Sequence, residues 1–219
     1  MKTVISSPED IQSRVAAHIA ARVREKPDSV LIVSPEEYMS GIWAEAAAMA
    51  DFSRVKVFSA VSIEDDPRYE NALLSQLSKT GIKRENINLI SRENAEIYDK
   101  MILTAGGTDV AVVSIGQNGR FAFNEPGTQY DTLSHVQKLT RPTLRELGLD
   151  EKATVYAATV GVKTVVSADD ILVAAFGEEY AKAVFNMLYA RDDSIIPAAF
   201  LQLPRNVTVY ADDSAASKL

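Results

Sequence analysis

Short apolar runs of strand length recur along this chain and alternate with segments of helical pattern. The clearest runs lie at 30–33, 55–58, 109–114 and 171–175. Residues 8–25 show the helical pattern best, because apolar side chains recur there at every fourth position. Strands that alternate with helices imply a mainly parallel sheet covered by helices on both faces. We therefore predict a three-layer α/β fold.

The chain length of 219 residues fits one large α/β domain. No internal repeat, low-complexity stretch or linker divides the sequence. We predict a single domain over residues 1–211. The small, polar segment 212–219 is expected to form a flexible C-terminal tail.

Composition narrows the possible partners. The formal net charge is −7 without a cluster of Lys and Arg, so nucleic acid is not an expected partner. The chain has no cysteine and only two histidines, so neither a metal site nor a cofactor is expected. No apolar run reaches 18 residues, and no export signal is visible, so we expect no membrane association and a cytoplasmic location.

A glycine-rich turn follows the strand predicted at 109–114. Residues 114–127 read SIGQNGRFAFNEPG. In an open parallel sheet the ligand crevice forms at the carboxyl ends of the strands. This turn is therefore the predicted binding crevice, with Gly116 and Gly119 shaping its backbone.

This turn resembles the signature of the glucosamine-6-phosphate deaminase/isomerase family, which reads approximately GIGxDGHIAFNEPG. Residues 156–164, YAATVGVKT, are similar to the family's ALTVGVGT, and ENINL at 85–89 is similar to its ENIxL. The segments 170–177 and 198–202 also resemble family segments. The resemblance implies a Rossmann-like α/β fold and the isomerisation of an amino-sugar phosphate with loss of ammonia.

The family's ring-opening relay of aspartate, histidine and glutamate is matched here by Asn118, Arg120 and Glu125. Only the glutamate is kept. Arginine stays protonated at neutral pH and cannot shuttle protons. Two interpretations of Arg120 stay open: it binds an anionic ligand, or it forms a structural ion pair with Glu125 across the turn.

The family's phosphate loop, Ser/Thr-Gly-Gly-Thr-Pro, is matched by SPEEY at 34–38. This segment has no glycine, and its proline lacks an N–H group for an anion. Ser34 and Glu37 have the spacing of a capping box, which predicts an ordinary helix start from Pro35. The alternative is that Glu36 or Glu37 binds a cationic or polyol ligand.

Two further family features are also replaced. The Asp-Glu pair that supplies the proton-transfer base is matched by Val61 and Ser62, just after the candidate ligand-binding residue Ser59. The family's late lysine aligns with Tyr180, which leaves the nearby Lys182 as a candidate ligand-binding cation.

Two hypotheses follow for function. The first is a deaminase/isomerase-like protein of amino-sugar metabolism with a substituted active site and weak or no deaminase activity. The second is a non-catalytic protein that binds a sugar, a sugar acid or a protein partner in the same crevice. A lactonase activity is disfavoured, because the related 6-phosphogluconolactonases have the same histidine, which this chain lacks. The expected partner is a small sugar or sugar phosphate, and a homo-oligomer is possible.

Overall fold

The computed structural model describes residues 1–36, 39–190 and 195–219. Its main sheet has seven parallel strands in the order β1-β10-β9-β6-β2-β3-β5. A smaller antiparallel sheet has the order β4-β8-β7. The strands are β1 (Lys2–Ile5), β2 (Val30–Val33), β3 (Lys56–Ser59), β4 (Val61–Ile63), β5 (Ile87–Asn88), β6 (Val110–Ser114), β7 (His135–Lys138), β8 (Tyr156–Thr159), β9 (Asp170–Ala175) and β10 (Val207–Ala211).

Helices cover both faces of the main sheet, and each face has its own apolar core. The helices are α1 (Pro8–Glu25), α2 (Ser40–Met49), α3 (Arg68–Leu77), α4 (Ala95–Ala105), α5 (Arg141–Glu146), α6 (Val162–Val166) and α7 (Ala181–Tyr189). The buried side chains of α1, α2 and α3 form one core, and those of α4, α5, α6 and α7 contribute to the other. This arrangement confirms the predicted three-layer α/β fold.

Helix α1 forms as its sequence predicts. The Ser7 hydroxyl accepts a hydrogen bond from the Asp10 N–H at 3.3 Å, which caps the first turn. The apolar stripe of α1 is buried, including Ile11 and Val15. No helix in the described ranges is long and apolar enough to cross a membrane.

The direction of chain travel across the sheet changes between β2 and β6. The chain runs from β2 to β3 on one side, whereas β6 is followed by β9 and β10 on the other. Ligands of open α/β sheets bind at such a switch point, beyond the carboxyl ends of the strands. Both strands are completely buried, so their ends are fixed in space.

The helix predicted from Pro35 begins later than expected. Helix α2 starts at Ser40 with Met39 in the N-cap position, so Ser34 does not cap it. The prediction of a capping box that begins at Ser34 is therefore wrong. The predicted partner Glu37 lies outside the described residues.

Three strands were missed because their sequences carry no strong apolar pattern. β1 is largely exposed at the edge of the main sheet, and β4 has only three residues. β7 lies in the polar segment 129–152. The apolar segment at 197–202 forms a 3₁₀ helix.

Part of the C-terminal segment contacts the body of the protein, while its predicted flexibility stays a prediction. The Asp212 carboxylate accepts hydrogen bonds from the Gly177 N–H at 3.1 Å and the Ala215 N–H at 2.7 Å. Ala215 is completely buried. That residues 1–211 form one domain stays a prediction.

A buried ion-pair cluster ties α1 to the amino-terminal edge of the sheet. Asp109 accepts hydrogen bonds from Lys26 Nζ at 2.7 Å, Arg22 Nη2 at 2.9 Å and the Val30 N–H at 2.8 Å. Burial alone would raise the pKa of Asp109, but these donors together lower it below its ordinary value. The charged form of Asp109 therefore stabilises the fold.

We expect Asp109→Asn to lower the free energy of unfolding by about 2–3 kcal/mol at neutral pH, because it removes the acceptor of two cationic side chains. Since the folded-state pKa is lowered, this contribution is fully present above about pH 4 and is lost as the pH falls through the folded value. Urea denaturation at several pH values measures the effect.

The matched control is Asp169→Asn. Asp169 also pairs with Arg22, but its side chain is 64% exposed, so we expect a loss below about 1 kcal/mol. Equal losses for the two variants would show that burial of Asp109 does not matter.

Candidate functional site

The candidate site lies at the switch point, beyond the ends of β2 and β6. Ser114, the last residue of β6, donates a hydrogen bond from its hydroxyl to Glu36 Oε1 at 2.7 Å. Ser34 is also buried here, and its N–H donates to the Val112 carbonyl at 2.9 Å. Within the described ranges the Ser34 hydroxyl has no hydrogen-bond partner.

Two glycines fix the loop that follows β6. Gly119 has φ +85°, and a Cβ atom there would lie 2.8 Å from Ile196 Cγ2. At Gly116 a Cβ atom would lie 2.6 Å from the Arg120 side chain. Gly119 is thus required by backbone conformation, and Gly116 by the close approach of a buried arginine.

Arg120 is only 4% exposed. Its Nη1 donates to the Ala122 carbonyl at 2.6 Å, and its Nη2 donates to Glu146 Oε1 at 3.1 Å. The guanidinium carbon lies 5.0 Å from the centre of the Phe123 ring, which adds a cation–π contact. Arg120 therefore pairs with Glu146, not with Glu125 as the structural interpretation supposed.

Glu146, at the end of α5, is the second buried charge of the site. It accepts hydrogen bonds from the Gln117 N–H at 3.1 Å and from the Tyr180 hydroxyl at 3.3 Å. Burial raises the pKa of Glu146 and the nearby Glu36 carboxylate raises it further, while Arg120 opposes both. The Glu36 and Glu146 carboxylates therefore lie close enough to repel each other.

Glu125 is buried in a separate hydrogen-bond network. Its Oε2 accepts from Asn118 Nδ2 at 2.9 Å and from the Thr140 hydroxyl at 3.0 Å, and its Oε1 accepts from the Thr140 N–H at 3.0 Å. Asn118 also donates to the Thr143 hydroxyl at 3.1 Å. These contacts hold the start of α5 against the loop.

An enclosed cavity of about 140 Å³ lies between the Ser114, Arg120 and Tyr180 side chains. Leu147 and residues 174–176 form its apolar part. The polar side chains that line it are Glu36, Tyr69, Ser114, Arg120, Glu146 and Tyr180. A more open cavity of about 170 Å³ adjoins it and shares Glu36, Tyr69 and Leu147. The cavity therefore combines two carboxylates with one guanidinium.

Several predicted site residues lie elsewhere. Ser59 is occupied by structural contacts: its hydroxyl accepts from the Ile90 N–H at 2.8 Å. Lys182 is exposed on the first turn of α7 and does not line the cavity. Asn118 and Glu125 are likewise not among the described lining residues.

Three residues that line the cavity were not identified as site residues from the sequence. Tyr180 carried a signal, because it aligns with the family's late lysine. Glu146 and Tyr69 carried none: each is far in sequence from residues 114–127, and only the fold brings it to the loop.

The position of the family's proton-transfer acids lies in β4. Val61 is buried, and Val61 and Ser62 pair with β8 in the small sheet. The nearby Glu64 is bound by Arg92, and a hydrogen bond from that arginine lowers the pKa of the carboxyl. Arg68 lowers the pKa of Asp66 in the same way. A lowered pKa makes each carboxylate a weaker base.

Comparison with known proteins finds relatives of one kind. The chain is 31% identical to a glucosamine-6-phosphate deaminase of Clostridium acetobutylicum across 241 aligned positions that cover both chains fully. It is 30% identical to that of Clostridium botulinum, over 99% of this chain and 97% of the relative. No family model matches the sequence.

Solved structures agree on the fold. A monomeric glucosamine-6-phosphate deaminase superposes with a TM-score of 0.90 at 24% identity, with both chains fully covered. The 6-phosphogluconolactonase of Trypanosoma brucei superposes with a TM-score of 0.80 at 15% identity, over 100% of this chain and 98% of the other.

We expect Asn118→Asp, which restores the family's residue type, to destabilise the fold at neutral pH by about 1–3 kcal/mol. The new carboxylate would replace an amide that donates to Glu125 at 2.9 Å. The two like charges would share a proton, so the loss should shrink as the pH falls towards about 4. Chemical denaturation at both pH values measures it.

Gln117→Glu adds the same charge on an exposed neighbouring side chain. We expect this control to change stability by less than about 0.5 kcal/mol. A pH-independent effect of Asn118→Asp would contradict the carboxylate repulsion.

Proposed function

The chain belongs to the glucosamine-6-phosphate deaminase family, and from this premise we propose that it is a deaminase-like protein of amino-sugar metabolism with a substituted site and weak or no deaminase activity. Its partner is a small sugar-type molecule bound in the cavity beside Glu36. As a protein of carbohydrate metabolism, it is assigned to the cytoplasm.

The observation that carries this proposal is the position of the Glu36 carboxylate. It is held on Ser114 at 2.7 Å and lines the same enclosed cavity as Glu146. The guanidinium of Arg120 is already paired with Glu146. A phosphate group about 4 Å from an unpaired carboxylate is disfavoured by ~4 kcal/mol at an effective dielectric constant of 20. A phosphorylated substrate is therefore a poor fit.

Proton transfer is the second difficulty. Arg120 takes the place of the family's histidine and stays charged at neutral pH. Glu125 already accepts three hydrogen bonds, from Asn118 and Thr140. These contacts hold the carboxylate against the start of α5, and Glu125 does not line the cavity, so it is poorly placed to take a proton from a sugar bound there.

A non-catalytic binding protein is the alternative, and one observation favours it. A polar cavity lies at the switch point of the sheet, and the residues that the sequence matched to the family's proton-transfer acids, Val61 and Ser62, do not line it. Such a protein would bind a sugar or a sugar acid, or a protein partner, without turnover. Self-association of the chain stays a proposal.

The test is ammonia release from glucosamine 6-phosphate by the purified protein, with the Clostridium acetobutylicum relative as positive control. We expect no release above background for this chain under conditions in which the control is active. A cooperative thermal transition must first show that the protein is folded. Turnover of about 1 to 10³ per second, the range of ordinary enzymes, would contradict the proposal.

A further inference from the structure

We propose that the cavity beside Glu36 binds the ammonium group of an unphosphorylated amino sugar. The proposal deepens the function given above and rests on it, since it assumes that the family's crevice still accepts a sugar. It names the charge that the ligand must carry and the residue that recognises that charge.

The charges of the cavity do not balance. Arg120 neutralises Glu146 at 3.1 Å. Among the described residues, the Glu36 carboxylate accepts a hydrogen bond from the neutral Ser114 hydroxyl and forms no ion pair with a Lys or Arg. A partly buried carboxylate without a cationic partner favours a ligand that brings a positive charge.

The same carboxylates also raise the pKa values of the two tyrosines that line the cavity. Burial raises the pKa of Tyr180 to about 12, and the Glu146 and Glu36 carboxylates contribute to the rise. Burial likewise raises the pKa of Tyr69, with Glu36 the next cause. Both phenols stay protonated at neutral pH. The Tyr180 hydroxyl already donates to Glu146, so Tyr69 is the phenol that can donate a hydrogen bond to a sugar hydroxyl.

Arg120 limits what else the ligand can carry. Its side chain lines the cavity, but its Nε atom is buried against Gly116, where a Cβ atom would lie 2.6 Å from it. The groups left to meet a ligand are the Glu36 carboxylate, which favours a cation, and the Tyr69 hydroxyl, which can donate to a hydroxyl oxygen. An amino sugar combines a cationic group with hydroxyl oxygens.

The volumes limit the size of the ligand. The enclosed cavity of about 140 Å³ corresponds to roughly four or five molecules of liquid water. That space suits the amine-bearing end of a hexosamine, and the adjoining cavity of about 170 Å³ can hold the remaining hydroxyls. An added phosphate would have to share this space with Glu36, because Arg68, the cation that lines the adjoining cavity, is already paired with Asp66.

Calorimetric titration with glucosamine and glucose tests the inference, because the two sugars differ only in the amine. We expect glucosamine to bind roughly tenfold or more tightly than glucose, as for one charge-assisted hydrogen bond. Glucosamine 6-phosphate should bind more weakly than glucosamine. Ammonium chloride at the same concentration should not compete.

Glu36→Gln keeps the shape of the side chain and removes its charge. We expect this variant to bind glucosamine and glucose with affinities within about twofold, while retained glucose binding shows that the site is folded. Glu96→Gln, on the exposed face of α4, is the control and should keep the preference.

Four results would each overturn the inference: equal binding of the two sugars, tighter binding of the phosphorylated sugar, competition by ammonium alone, or an unchanged preference in Glu36→Gln. Absence of binding by every sugar would also overturn it. Equal binding of the two sugars, competition by ammonium or an unchanged preference in Glu36→Gln would overturn the inference alone and leave the proposed function standing. Tighter binding of the phosphorylated sugar, or no binding of any sugar, would count against both. Deaminase turnover would remove the proposed function independently.

Discussion

The arginine at position 120 brings a full positive charge into a nearly solvent-free part of the protein. Burial of a charge is tolerated only when its hydrogen-bonding groups are satisfied. The Glu146 carboxylate, the Ala122 carbonyl and the Phe123 ring meet most of that need. Gly116 is required because any side chain there would collide with the guanidinium. The loop conformation, the position of α5 and the walls of the cavity all depend on this ion pair.

The ion pair also separates the surroundings of Arg120 from those of Glu125. Arg120 reaches Glu146 and lines the cavity. Glu125, which the sequence matched to the family's relay glutamate, instead anchors Thr140 at the start of α5. A residue can therefore match a family position while its contacts serve the architecture.

Much of the fold could be predicted from the sequence. The central strands β2, β6 and β9 are continuous apolar runs, and α1 carries a cap and a regular stripe. The weak elements were missed because the fold decides them: β1 is exposed and forms by pairing with β10. The late start of α2 was missed because the capping-box pattern at 34–37 indicates a helix from Pro35, whereas α2 begins at Ser40.

The site was predicted less completely than the fold. The loop from Ser114 to Gly127 could be found because its glycines and its family signature are contiguous. Three other elements contribute Glu146, Tyr69 and Tyr180 to the cavity. No local sequence pattern predicts that these residues line one cavity. Arg120 and Glu125 bind different partners, and this depends on interatomic distances that a sequence does not contain.

The anchored C-terminus carries one more consequence. Asp212 binds the N–H of Gly177, and Gly177 opens the short turn that places Tyr180 in the cavity wall. The N–H of the buried Ala215 donates to the same Asp212 carboxylate. Proteolytic trimming of the last eight residues would therefore remove the carboxylate that binds the turn before Tyr180.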